Sequence, residues 1–242
     1  MWAMRSLHLL ICSIIRSWLG LSLPLTSPPA GVRFDLEGLV ETSASTWLAV
    51  GIGYLLGSVP TGYLVARHWR GIDIREHGDR HTGAKNVWRV AGLRGAAITV
   101  AADIAKGMAA MFLARVWPVP EWGVVLVALA VVAGHNWSAF LGFRGGAGLA
   151  PAIGVLFATL SRETLLVAVP YIVIAATLGR RIGLGLSSAL VLPALVGLAW
   201  WLGEPVHLIV VPLVLWPLMG ANLFGPRVVE ALRRARTQKS RR

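Results

Sequence analysis

The sequence predicts an all-α polytopic membrane protein of about seven transmembrane helices, with its N-terminus outside and its C-terminus cytoplasmic. Three observations carry that expectation. Of 242 residues, 56% are hydrophobic and only 14% charged, at a mean hydropathy of +0.67; one soluble core of this size cannot enclose that much apolar side chain. The apolar residues fall into consecutive segments of roughly bilayer-crossing length rather than into stripes. The charges collect between those segments, Lys and Arg 23 against Asp and Glu 11 for a net +12, and their alternation along the chain follows the positive-inside rule.

The first 45 residues stand apart. "LHLLICSIIRSWLGLSLPL" is apolar but interrupted by Arg16, and "TSPPAG" after it is a Pro-rich break. A signal-like leader, an interfacial helix with a snorkelling Arg16 and a start-site extension are all consistent with this pattern. None of them carries chemistry. A membrane domain is expected over 46–225 and a basic cytoplasmic tail over 226–242.

Within that domain the spans fall at about 46–66, 96–117, 122–141, 147–161, 164–179, 183–202 and 205–223. The fourth and fifth are separated only by "SRET" (161–164), so six spans is the alternative count. The loop after the first span carries Arg67, Arg70, Arg75, Arg80, Lys85, Arg89 and Arg94, and the tail carries Arg227, Arg233, Arg234, Arg236, Lys239, Arg241 and Arg242. Seven spans put both stretches inside, together with Arg144, Arg180 and Arg181. "PVPE" (118–121), "SRET" and "GEP" (203–205) then lie outside, with Arg162 as their single arginine. Six spans would put the tail on the wrong side.

Several function classes drop out. The single cysteine, Cys12, excludes an intramolecular disulfide and a Cys-rich metal site. No nucleic-acid module with interleaved aromatic and basic residues is present, so the positive charge is assigned to loops facing anionic lipid.

Ionisable residues inside a span are expensive to insert and therefore mark candidate sites. In "AADIAKGMAAMF", Asp103 and Lys106 are three apart and share a helix face. Two readings stand: a self-neutralising pair that lets the helix insert, or a phosphate-seeking Lys106 oriented by Asp103. After the third span, "GHNWSAFLGFRGGAGLAP" (134–151) places Arg144 beside Gly145, Gly146 and Gly148, just before the next helix. Convergent backbone N–H groups at a helix start can hold an anion, and a tight turn is the other reading. His135 and Asn136 near the end of the third span are ligand groups or helix-packing polar residues. The loop 67–94, the turn 142–148 and "GRRIGLGLSS" (179–188) all fall on one membrane face by the charge argument.

Four separated stretches then agree in order, spacing and membrane side: "GSVPTGYLVAR" (57–67), "GIDIREHGDRHTGAKNVWRVAG" (71–92), "DIAKG" (103–107) and "GHNWSAFLGFRGGAGLAPAIG" (134–154). In these the chain resembles, over about 46–225, the bacterial acyl-phosphate:glycerol-3-phosphate acyltransferases, the PlsY family. The resemblance implies seven spans, an active site at the cytoplasmic face of the cell membrane, and acyl transfer from acyl phosphate to the 1-hydroxyl of glycerol 3-phosphate. It implies no metal, cofactor, nucleic acid or obligate protein partner. Carried over by position, it assigns Ser58, Asn86, Lys106 and His135 to the catalytic set. Arg75, Arg89, Arg144, Gly145 and Gly146 go to the site for substrate phosphate.

The chain also departs from the family pattern. "GSGNxGATN" becomes "GDRHTGAKN", which introduces Asp79, Arg80, His81 and Lys85. "FKGGKGVAT" becomes "FRGGAGLAP", with Ala147 in place of a cation, and "HRxNI" becomes "MGANLF", with Met219 and Gly220 in place of His-Arg and Asn222 retained. Arg80, Lys85 and His81 are expected as replacement charges for substrate phosphate, whereas Asp79 would repel one. The departures leave open a catalytically degenerate, ligand-binding relative. A small transporter, with Asp103 and Lys106 as pathway charges, is the third reading, although no inverted repeat is evident. "HWRGID" (68–73) fits an H-x4-D acyltransferase pattern, but no second signature of that kind follows.

Overall fold

A computed structural model describes residues 43–168 and 184–219, and every regular element among them is helical. The first 42 residues, most of the expected fifth span, Arg180 and Arg181, Gly220, Asn222 and the basic tail lie outside the described residues. In chain order the helices are α1 (Ala44–Ser58), α2 (Thr61–Arg70), α3 (Ala84–Val116), α4 (Glu121–Asn136), α5 (Leu149–Thr159), α6 (Leu184–Leu202) and α7 (Val206–Met219). A further helical stretch covers 161–168.

Among the described residues, three stretches are long and apolar enough to cross a bilayer: Ala44–Arg70, Ala84–Val116 and Glu121–Leu141. The apolar helices Leu149–Thr159, Val191–Leu202 and Val206–Met219 are shorter. Two of the expected boundaries change. The first span is broken at Val59–Pro60, because proline has no N–H to continue the ladder, and α2 carries the chain on to Arg70. The second span is expected from 96, yet its helix begins at Ala84. Gly92, at φ 79° and ψ −179°, breaks it into an amphipathic stub and the apolar length beyond. The stub buries Asn86, Val87 and Ala91 while Trp88 and Arg89 face outward, so its charge pattern reads as loop and its structure is helix.

The bundle is built on close approach. α1 packs on α4, α3 on α4 and α5, and α2 on α3. A Cβ at Gly57 would collide with the Val131 carbonyl, and one at Gly134 with the Tyr54 carbonyl. The α1–α4 backbones therefore touch through small residues, as membrane helices do where lipid removes the hydrophobic drive to associate. Ala49, Met111, Val127, Val131, Val132, Val155 and Leu215 fill the interior, while Trp47, Leu55, Leu93 and Phe112 point outward. A smaller cluster of Ala66, Ile74, Val87 and Ala91 anchors the 71–83 loop against α2 and the α3 stub.

Candidate active site

The polar interior gathers where α1 breaks and α4 ends. Beyond Ser58 the helical ladder stops, which leaves carbonyls in need of partners. The Ser138 hydroxyl donates to Ser58 O at 2.6 Å, and Lys106 Nζ donates to Val59 O at 3.0 Å. Ser58 itself is fully buried, and its Oγ accepts the Ala139 N–H at 3.3 Å. Tyr54 adds a third tie by donating its hydroxyl to Trp137 O at 2.6 Å. The helix break and the turn after α4 are thus stitched together.

Beside the break lies the intramembrane pair. Lys106 Nζ is 2.9 Å from Asp103 Oδ1, one helical turn apart as the spacing predicts. The same carboxylate oxygen accepts the Thr61 hydroxyl at 2.5 Å and lies 3.6 Å from His135 Nδ1. Asp103, Lys106 and His135 are 1%, 8% and 7% exposed, so the Asp103 and Lys106 charges are buried where an unpaired one would be severely penalised. Lys106 and His135, from α3 and α4, are brought together.

Over them folds the glycine turn. Leu141 and Phe143 both donate their N–H groups to Ser138 O, and Gly142 and Phe143 take left-handed backbone at φ 61° and 62°. Gly146 N–H donates to His135 O at 3.0 Å, and Thr82 N–H reaches Gly145 O at 3.5 Å. This modifies the sequence expectation of N–H groups converging on an anion: the Gly146 N–H is engaged with the end of α4. The paired glycines are required for a different reason. A Cβ at Gly145 would strike the His135 and Asn136 carbonyls, and one at Gly146 the His135 imidazole. The turn lies directly on the helix end, and Asn136 Nδ2 carries the contact on to α7 by donating to Leu218 O at 3.1 Å.

The basic loop has a different organisation from the one its charges suggest. Asn86 is buried, its Nδ2 donates to the carbonyls of Ile74, His77 and His81, and its Oδ1 accepts the Asp79 N–H. Its amide is occupied in shaping the loop. Arg75 is bound through Nε and Nη2 to the Asp73 carboxylate, at 2.6 Å for the shortest contact, and donates Nη1 to Leu141 O at 3.1 Å. It lies 5.4 Å from the centre of the Tyr63 ring. The Arg75 hydrogen bonds hold the Asp73 carboxyl below the usual carboxylate range, and the same bonds raise Arg75 above its ordinary value. Arg75 is a strut from this loop to the glycine turn. Asp79 pairs with Arg89 and lies 4.0 Å from Lys85, so the expected repulsive carboxylate sits between two of the expected phosphate ligands. The side chains of Arg80 and Arg144 are exposed and make no hydrogen bond or ion pair among the described residues.

Two participants went unread in the sequence. Thr61 follows a proline, which signals a helix start but not its contact with Asp103, 42 residues away. Ser138 has no sequence signal tying it to Ser58.

Comparison with known proteins places this geometry in a family. The family model described as glycerol-3-phosphate acyltransferase matches residues 47–223. The glycerol-3-phosphate acyltransferase of Desulforudis audaxviator is 49% identical over 109 residues, 45% of this chain and 54% of that one. The chain thus spans about half the length of that relative. The glycerol-3-phosphate acyltransferase of Synechococcus sp. strain JA-3-3Ab is 40% identical over 190 residues, 78% of this chain and 87% of that one. Among solved structures, PlsY (YgiH), an integral membrane glycerol 3-phosphate acyltransferase, superposes in its glycerol 3-phosphate form with a TM-score of 0.66 at 27% identity. That match covers 78% of this chain and 92% of the crystallised one. The apolar helical bundle, the matched motifs and these likenesses agree that this is a multi-pass membrane protein, and the chain belongs to the glycerol-3-phosphate acyltransferase family.

Proposed function

We propose that the protein transfers an acyl group from acyl phosphate to the 1-hydroxyl of glycerol 3-phosphate, at the cytoplasmic face of a bacterial cell membrane. The hydroxyl oxygen attacks the acyl carbon, the bond from that carbon to the phosphate oxygen breaks, and inorganic phosphate leaves with the hydroxyl's proton. The products are lysophosphatidic acid and phosphate. The mixed anhydride is already activated, so the reaction needs no cofactor and no nucleophilic side chain, only two phosphorylated substrates held together against their mutual repulsion.

The observation that carries this reading is the buried cation. Lys106 sits beside the helix break and is linked through Asp103 to His135 at the end of α4, and its ammonium has three donors. It is the group suited to a substrate phosphate, with the exposed Arg144 and Arg80 at the rim. Arg75 and Asn86 are positioning residues that hold the loop and turn in register. Further support comes from the family and from a likeness to PlsY structures in glycerol 3-phosphate and lysophosphatidic acid forms. The partners are the two substrates and membrane lipid, with no nucleic acid and no obligate protein partner.

The test is phosphate release by detergent-purified protein given acyl phosphate and glycerol 3-phosphate. Turnover should require both substrates. One feature favours a second reading, a ligand-binding relative without turnover: Ala147 and Met219 stand where the family pattern has cations. A well-folded protein that binds glycerol 3-phosphate and releases no phosphate would establish that reading and overturn the first.

The orientation is testable separately. With Cys12 replaced by serine, single cysteines at positions 76, 121, 204 and 235 should divide two and two. Positions 76 and 235 should label only from the cytoplasm, and 121 and 204 only from outside. Outside labelling at 235 would exclude the seven-span topology.

A further inference from the structure

The break between α1 and α2 grips both members of the intramembrane ion pair. On one side of Pro60, the Val59 carbonyl accepts from Lys106 Nζ at 3.0 Å; on the other, the Thr61 hydroxyl donates to Asp103 Oδ1 at 2.5 Å. We propose that Val59–Thr61 is a positioning clamp, with Thr61 as the residue that sets the direction of the Lys106 ammonium through Asp103. This deepens the enzymatic reading above and rests on it for its kinetic consequence only.

An ammonium carries three donors; Asp103 and Val59 O take two, at 2.9 and 3.0 Å, and the third is thereby restricted to one direction. A lysine side chain is otherwise a flexible four-carbon stem bearing a point charge, and it fixes a direction only where its partners are fixed. Val59 O is fixed by backbone. Asp103 needs another anchor, because a carboxylate on a helix rotates about χ1 and χ2, and the Thr61 hydroxyl supplies it. His135 Nδ1, 3.6 Å from the same oxygen, shares the anchor. Thr61 needs no contact with a reacting atom for this role.

Three variants of the full chain test it. Thr61→Val keeps the shape and removes the hydroxyl; Thr61→Ser keeps the hydroxyl. With acyl phosphate and glycerol 3-phosphate, Thr61→Val should lower kcat by about 10- to 100-fold, the scale of a lost bond to a charged group. KM for glycerol 3-phosphate should change less, and Thr61→Ser should recover most of the loss. A purely structural threonine would lower the yield of folded protein and leave kcat per folded molecule unchanged. A second readout is independent of turnover. The chain has three lysines, Lys85, Lys106 and Lys239, so 15N-lysine labelling gives few signals, and Lys106→Met assigns the one from Lys106. In Thr61→Val the ammonium protons of Lys106 should exchange faster with solvent and their resonance should move, with Thr61→Ser close to wild type. An unchanged Lys106 resonance in Thr61→Val would overturn the clamp whatever the activity. A silent wild type with a Thr61-dependent Lys106 resonance would overturn the enzymatic reading and leave the clamp standing.

Discussion

Lys106→Met should leave a folded membrane protein whose kcat/KM has fallen by about 100- to 1,000-fold, the effect of removing one preorganised donor from a developing charge. Methionine fills a similar volume without the charge, so the α3 packing around Met111 and Ala110 survives. The competing account is that Asp103 and Lys106 merely neutralise each other inside the bilayer. That account predicts its own rescue: Lys106→Met strands a buried carboxylate, a loss of about 3–5 kcal/mol for a broken buried pair, and adding Asp103→Asn relieves it. Stability should recover in the double variant under both accounts. Activity separates them. Phosphate release per folded molecule should remain as low in the double variant as in Lys106→Met, and full recovery would refute a substrate role for Lys106.

That pair was legible because two opposite charges three residues apart in an apolar run have few reasons to be there. The all-α class and the apolar segments were legible on similar grounds, since composition and segment length constrain a chain in a bilayer more tightly than in water. The α3 stub was not. Its eight residues before Gly92 carry Lys85 and Arg89 and so resemble loop, and the burial of Asn86, Val87 and Ala91 against α2 and the 71–83 loop is a tertiary fact without a long periodicity. The meeting of Lys106 with Asp103 was legible, and that of Asp103 with His135 only through motif position, whereas what the other polar candidates contact was much less so. Motif matching identifies Asn86 and Arg75 as residues to notice, but whether a polar side chain meets substrate or backbone depends on which carbonyls surround it. Here the carbonyls of Ile74, His77, His81 and Leu141 take those donors. Thr61 lies at the opposite extreme, conspicuous in space and silent in sequence, because a contact spanning 42 residues leaves no local pattern.

Gly145→Ala should lower transfer by about 100-fold or more, and the size of the loss follows from what surrounds the missing side chain. A Cβ at 145 would meet the His135 and Asn136 carbonyl oxygens, both backbone atoms at the end of α4. Neither can rotate away as a side-chain tip can, so the whole turn must lift. Lifting it weakens the Gly146 N–H bond to His135 O and the approach of Thr82 N–H to Gly145 O. It also strains the Ser138 and Ala139 bonds that close over Ser58. Overpacking of this kind costs about 1–3 kcal/mol of stability, whereas a displacement of about 1 Å in a reacting geometry costs about 100-fold in rate. The signature is therefore a modest drop in Tm with a loss of kcat/KM of about 100-fold or more. Gly146→Ala should do less to the backbone, because its Cβ meets the His135 ring, which can turn, at the expense of its approach to Asp103. Gly142→Ala is the matched control. Its φ of 61° makes alanine mildly unfavourable, by about 1 kcal/mol, but the space around it is open, so its activity should stay within a few-fold of wild type. Equal losses at 142 and 145 would show that the turn needs flexible backbone rather than close contact with the end of α4, and that the packing account of the paired glycines is wrong.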